Sequence, residues 1–173
     1  GSVPTTTNKF NRMWPTLSQP WYFSQPMRIV VDDSGYVYIA QFYPPRIHKF
    51  TSDGQFIARW GQSGSGEGEF DHIGSMAVDK EGFIYVEDGL NHEEKRIQKF
   101  TSDGQFVSEW GNLGSGDDEI YDPADMIIDE NGFFYIAESF SGIKKFTSDG
   151  HFVTKWGSKC DLYDGSGCED PDG

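Results

Sequence analysis

The hexapeptide KFTSDG stands three times in this chain, beginning at Lys49, Lys99 and Lys145. Each copy is followed by an aromatic (Phe56, Phe106, Phe152) and then by a Trp-Gly pair: Trp60-Gly61, Trp110-Gly111 and Trp156-Gly157. The Trp-to-Trp spacings are 50 and 46 residues. A fixed period of this size marks a repeat architecture, in which a unit too small to bury its own apolar face stacks on its neighbours. Within each unit the residue pattern predicts four short strands. They cover 27–32, 36–41, 46–51 and 55–60 in the first unit, and 75–79, 83–88, 96–101 and 105–110 in the second. In the third they cover 125–129, 133–138, 143–147 and 151–156. The Asp-Gly of each SDG supplies the positive φ that a tight hairpin turn requires. The first strand of each unit is an apolar run with little alternation, as an innermost strand should be, whereas the third and fourth alternate and carry charge. Four short antiparallel strands per ~40–50 residues describe the blade of a β-propeller.

The chain is therefore expected to be all-β: three four-stranded antiparallel blades, left open or completed by a partner. An extra N-terminal outer strand precedes them, because Lys9 to Trp14 aligns with 55–60 and Trp14 lies 46 residues before Trp60. The expected organisation is an extension (1–8), an outer strand of a preceding blade with its linker (9–26) and a first blade (27–61). A second blade with linker (62–111), a third with linker (112–157) and an acidic, cysteine-containing tail (158–173) follow. Aromatics make up 16% of the residues, and they fall in register: Tyr38, Tyr85 and Tyr135; Phe50, Phe100 and Phe146; and the Trp set. Such strict registers point to packing between blades rather than to sugar-binding platforms. No apolar run is long enough to span a bilayer, and residues 1–8 lack the pattern of a signal peptide. The net charge of -14 repels phosphate backbones, so nucleic acid is not an expected partner.

The second unit resembles the NHL repeat. The resemblance is carried by Met76-Ala77-Val78-Asp79, Ile84-Tyr85-Val86-Glu87-Asp88, Asn91-His92 and Arg96-Ile97-Gln98-Lys99-Phe100, and by the linkers at 61–70 and 111–120. The other units depart from it: Gln41 and Glu138 stand where Asp88 does, and Gly142 replaces the Arg. The resemblance covers residues 9–157 and implies a ring usually closed by six blades. Three blades are about half of that, so the chain is expected either to be a fragment of a longer propeller or to be completed by a protein partner or a second copy. NHL relatives include lyases that hold zinc through channel histidines. Here His48, within a third strand, and His151, just after an outer hairpin, are expected at the rim; with His72 and His92 they supply no comparable triplet, and no catalytic residue is assigned.

Ligand-binding residues are expected on the face where linkers meet the central channel, since loops on a rigid scaffold carry function more often than its strands. Arg28, Ser75 and Asp125 stand at the start of the inner strands, and Gln41, Asp88 and Glu138 at the end of the second strands. Asp71, His72 and Asp122 lie in the linkers, and His92 in the loop after the second strand of unit two. This set differs from blade to blade while the packing residues repeat, which is the trace a binding site leaves. In the tail, Cys160 and Cys168 read as a local disulfide, placing the protein outside the cell or on its surface. Asp161, Asp164, Glu169, Asp170 and Asp172 are candidate calcium ligands on a turning loop, the alternative being an acidic linker pinned by the disulfide. Calcium is the one cofactor this pattern suggests. The expected role is non-enzymatic: an exported segment that binds protein or carbohydrate, or assembles with itself. The alternative is a fragment of a metal-dependent propeller lyase or hydrolase.

Overall fold

The structure, a computed structural model, describes residues 23–89, 95–139 and 142–157. They form three four-stranded antiparallel sheets and, among the described residues, no helix. The first sheet holds β1 (Pro26–Val31), β2 (Val37–Gln41), β3 (Arg46–Phe50) and β4 (Phe56–Trp60). The second holds β5 (Ile73–Val78), β6 (Ile84–Asp88), β7 (Arg96–Phe100) and β8 (Phe106–Trp110). The third holds β9 (Pro123–Ile128), β10 (Phe134–Glu138), β11 (Gly142–Phe146) and β12 (Phe152–Trp156). In each sheet the strands pair in sequence order, and β5 packs against both β1 and β9. The first strands are therefore the innermost ones, and the three sheets are consecutive blades of an incomplete propeller. The expected outer strand at 9–14 and the acidic tail lie outside the described residues.

The inner strands end one residue before the expected boundary, for a shared reason. Asp32, Asp79 and Asp129 leave the ladder and turn their carboxylates onto the next strand. Their Oδ1 atoms accept the backbone N–H of Tyr36, Phe83 and Phe133 at 2.9, 2.9 and 3.0 Å. Their Oδ2 atoms accept the hydroxyls of Tyr38, Tyr85 and Tyr135 at 2.9, 3.0 and 3.0 Å. Lys49, Lys99 and Lys145 place their ammonium groups 4.2, 3.9 and 4.0 Å from the ring centroids of Tyr36, Phe83 and Phe133. One polar lock thus joins the first three strands of every blade. Burial and the neighbouring Asp carboxylate push the Tyr38 and Tyr85 hydroxyls well above the usual phenol range.

The blades meet through aromatics. Trp60 lies 6.2 Å from Tyr38 in its own blade and 6.3 Å from Phe100 in the next. Trp110 lies 5.2 Å from Phe134 and 5.4 Å from Phe146, both in the third blade. Each of these Trp rings also rests on the hairpin glycine of the following blade. A Cβ on Gly104 would come within 2.5 Å of the Trp60 ring, and one on Gly150 within 2.6 Å of Trp110. The Asp-Gly turn therefore serves twice: its glycine supplies the positive φ (+87° at Gly104, +85° at Gly150) and the seat for a neighbour's indole.

The two ends of the array are uncovered at positions that are covered inside it. On the leading side, Ile29 of β1 is 63% exposed, whereas Met76 and Met126 in the same register are 4% and 3% exposed. On the trailing side, Ile127 is 62% exposed against 5% for Ala77, and Trp156 is 44% exposed. Replacing Gly104 by Ala should lower stability by about 2–4 kcal/mol, since the methyl group adds overpacking to a strained φ. Gly82, with φ +84° and nothing within 4 Å of its would-be Cβ, should lose only about 1 kcal/mol when replaced by Ala. Urea midpoints of the two variants measure the difference; equal losses would mean that Trp60 does not use Gly104 as its seat.

Candidate functional site

The structure gives Gln41, Asp88 and Glu138 a common task. The Gln41 Oε1 accepts the N–H of Ser24 at 3.0 Å, while its Nε2 donates to the carbonyls of Tyr43 and Pro44 at 3.2 and 3.1 Å. The Asp88 Oδ1 accepts the N–H groups of Asp71 and His72 at 2.8 and 3.1 Å. Its Oδ2 accepts from the Arg96 guanidinium at 3.0 and 3.1 Å and from Gln98 at 3.1 Å. The Glu138 Oε1 accepts the N–H of Tyr121 at 2.9 Å, and its Oε2 lies 3.2 Å from the Lys144 ammonium. At each blade this side chain fastens the incoming linker to the second strand. Burial pushes the Asp88 carboxyl above its usual range, against the pull of the His72 N–H and of Arg96.

A second clamp sits one strand further out. Gln98 donates to the Glu69 carbonyl at 2.7 Å and accepts the Gly68 N–H at 2.9 Å. At the same register Lys144 donates to the carbonyls of Gly116 and Glu119 at 2.8 and 2.7 Å. In the first blade the position is His48. A rim placement would suit its alternating strand, but it is buried, with Phe23 5.3 Å away, and neither ring nitrogen has a partner among the described residues. Burial, then the charges of Arg59 and Arg46, pull its pKa from 6.5 to about 4.

Around the start of β5 the structure gathers Arg28, His72 and Ser75. Arg28 reaches from the first blade and donates to the Gly74 carbonyl at 2.5 Å. Ser75 is fully buried, and its hydroxyl has no partner among the described residues. His72 is half-buried, edge-on to Phe42 at 5.2 Å; burial and then the Lys95 charge lower its pKa. Asp125 is exposed and its Oδ1 accepts the Met126 N–H at 2.9 Å, while the Asp122 carbonyl accepts the Ser139 N–H at 3.0 Å. His92, Cys160, Cys168 and the tail carboxylates lie outside the described residues.

Sequence reasoning passed over Glu87 and Lys95. The Glu87 carboxyl is 2% exposed; its Oε1 meets the Lys95 ammonium at 3.0 Å and its Oε2 has no donor among the described residues. Lys95 also donates to the Gly89 carbonyl at 2.5 Å. Burial pushes the Glu87 carboxyl up, with Lys95 acting against it. Gly74 makes the room, since a Cβ there would fall 1.6 Å from the Glu87 Oε2. The signal was present in the alignment of repeats: where the second blade has Gly74 and Glu87, the first has Met27 and Ala40 and the third Ala124 and Ala137. This lip can hold a buried ion pair with one acceptor oxygen to spare. A cleft of about 400 Å³ lies beyond it, lined by Ser65, Lys95, Arg96, Glu109, Asn112 and Leu113. Among the described residues, no three His, Asp or Glu side chains converge as a metal site would require.

No protein-family model matches the chain, and no curated protein matches it in sequence. Solved structures do. A Bacteroides fragilis protein described as exported is 15% identical with a TM-score of 0.60, over 81% of this chain and 39% of that one. A gluconolactonase from Xanthomonas campestris is 15% identical with a TM-score of 0.54, over 77% and 47%. Virginiamycin B lyase from Staphylococcus aureus is 14% identical with a TM-score of 0.53, over 74% and 40%. The likeness is one of fold. The chain spans less than half the length of each of these β-propeller proteins.

Two outcomes follow from this geometry. Gly74→Ala should destabilise by about 1–3 kcal/mol, and adding Glu87→Ala, which recreates the pair found in the third blade, should recover most of that; a denaturant double-mutant cycle reads the coupling. For His48 the folded value lies below the unfolded one, so its contribution is intact above about 6.5 and is lost as pH falls toward about 4. That loss amounts to about 3 kcal/mol at ~1.4 kcal/mol per unit. His48→Gln, which copies Gln98, should flatten the stability profile across this window; an unchanged acid limb would show that another group causes it.

Proposed function

We propose that the chain is an exported, non-enzymatic propeller segment of NHL type, working as a binding or assembly module whose open blade faces are covered by protein. The observation that carries this reading is the contrast in burial between equivalent positions: Ile29 and Ile127 are exposed where Met76, Met126 and Ala77 are not. A propeller avoids such faces by closing. The lip supports the same reading. Gln41, Asp88 and Glu138 are engaged in fastening linkers, which leaves Arg28, His72 and Asp125 as the ligand-facing set, backed by the buried Ser75 hydroxyl and the Glu87–Lys95 pair. Arg28 on the first blade and Asp125 on the third give that set opposite charges at equivalent positions, suited to a polar ligand such as a peptide or a carbohydrate. The reading extends to the tail, with Cys160 and Cys168 as a disulfide and Asp161, Asp164, Glu169, Asp170 and Asp172 as calcium ligands.

The purified chain should either associate or bind a hydrophobic dye strongly, and Trp156 should be the indole most changed by covering. Sedimentation together with dye fluorescence tests this. A monomer that binds no dye would mean the faces need no partner. A stoichiometric metal lost on His72→Ala would favour the lyase or hydrolase reading instead.

A further inference from the structure

We infer that the lip of the middle blade is a proton-operated anion site: Arg28, His72 and Lys95 together take a small carboxylate once Glu87 has released Lys95. This rests on the reading of the lip as the ligand-facing surface, and it adds the class of ligand and the condition for binding. Arg28 is fixed through its Nε on the Gly74 carbonyl at 2.5 Å, and its Nη2 has no acceptor among the described residues. His72 is held by its carbonyl, which accepts the Gly89 N–H at 3.1 Å, and by its edge-on contact with Phe42. Lys95 bridges the Gly89 carbonyl and Glu87. Three groups that are or can become cationic therefore share one corner, where the charges of Arg28 and Lys95 both oppose protonation of His72.

Glu87 keeps this corner from attracting an anion at neutral pH. Its carboxylate is satisfied on one oxygen only. Oε1 has Lys95, while Oε2, in the space that Gly74 leaves, has no donor among the described residues. A buried acceptor in that state is costly, and a proton on Oε2 removes the cost without displacing a partner. The other charged groups around the pair are placed as follows. Asp88, next along β6, is tied to Arg96 and to the linker N–H groups of Asp71 and His72. Asp71 precedes His72, and Asp125 of β9, which packs against β5, turns its carboxylate onto the Met126 N–H. Burial raises the Glu87 carboxyl above 4.5. Burial, then Lys95 and Arg28, lower His72 below 6.5, so the two groups are driven toward each other into the mildly acid range. As pH falls, Glu87 loses a negative charge and His72 gains a positive one. Lys95, no longer ion-paired and carried on a flexible stem, can then meet an anion beside Arg28. In a chain of net charge -14 this is a local reversal of sign.

The test uses the full chain and three probes: glucuronate and N-acetylglycine, which carry a carboxylate on a sugar and on a peptide end, and uncharged glucose. Calorimetric titration at pH about 7.5 and about 5 should show carboxylate binding tightened about tenfold or more at the lower pH, with glucose indifferent to pH. The tighter of the two carboxylates names the source of the ligand. Its binding should also raise the His72 titration midpoint followed by proton magnetic resonance. Arg28→Gln should abolish binding at both pH values. Glu87→Gln, uncharged throughout, should bind at the higher pH nearly as the unmodified chain does at the lower, keeping only the His72 share of the pH response; His72→Gln should remove that share. Far-ultraviolet circular dichroism checks the fold of each variant. Carboxylate binding that ignores pH or survives Arg28→Gln overturns the inference, as does glucose bound as tightly as glucuronate. Sedimentation and dye binding report separately on the blade faces. A chain that associates but binds neither carboxylate loses the anion site and keeps the assembly reading; a monomer that binds no dye yet takes glucuronate at the lower pH does the reverse.

Discussion

Each blade of this protein is held to the next by an indole resting on a glycine. The Trp that ends one blade lies against the Asp-Gly turn of the blade that follows, where a β-carbon would stand only 2.5–2.6 Å from the indole, well inside ordinary contact. This one contact couples the local and the global: the glycine allows the hairpin to turn, and the same absence of a side chain lets the neighbouring sheet approach. The Phe and Tyr registers then fill the space behind it. A single four-stranded sheet of this size would expose both faces. Stacking removes one face from water at each seam, so the array is stable in proportion to the number of seams it makes.

The polar residues follow a different logic. Asp32, Asp79 and Asp129 repeat the same lock without variation, because each must satisfy a buried Tyr hydroxyl and a turn N–H at once. The clamp residues vary in type but share a function: Gln41, Asp88 and Glu138 all offer an oxygen to a linker N–H. An amide and a carboxylate are interchangeable there because the backbone asks only for an acceptor. Only in the middle blade do size and charge change together, with Gly74 yielding space to the Glu87 carboxyl. Placing a carboxylate where its sister blades have Ala costs desolvation, which Lys95 offsets on one oxygen alone.

These two kinds of residue divide the molecule by purpose. The seams and locks make the wedge, and its two flanks and uneven lip are where equivalent positions of the blades differ most in exposure and in side-chain type. Solved propellers that share this fold include a protein described as exported, a gluconolactonase and a lyase, so the fold by itself assigns no use.

Much of this was legible in the residues themselves. The period, the four strands per unit, the hairpin turns and the aromatic registers follow from local patterning, because strand alternation and Asp-Gly turns are properties of neighbouring residues. The open ends were legible too, as a matter of counting blades. The roles of polar side chains were not. Gln41, Asp88 and Glu138 read as lip ligands in sequence, and folding brings linkers 16 to 17 residues away onto them. His48 looked like a rim residue on an alternating strand, yet the packing around Phe23 buries it. Glu87 gave its signal only when set beside Ala40 and Ala137. Sequence alone therefore determined which elements form and how they stack, since both depend on short-range periodicity. Which polar atoms are engaged and which are left unpartnered was decided by the tertiary structure, because hydrogen bonds between distant segments exist only after the blades have met.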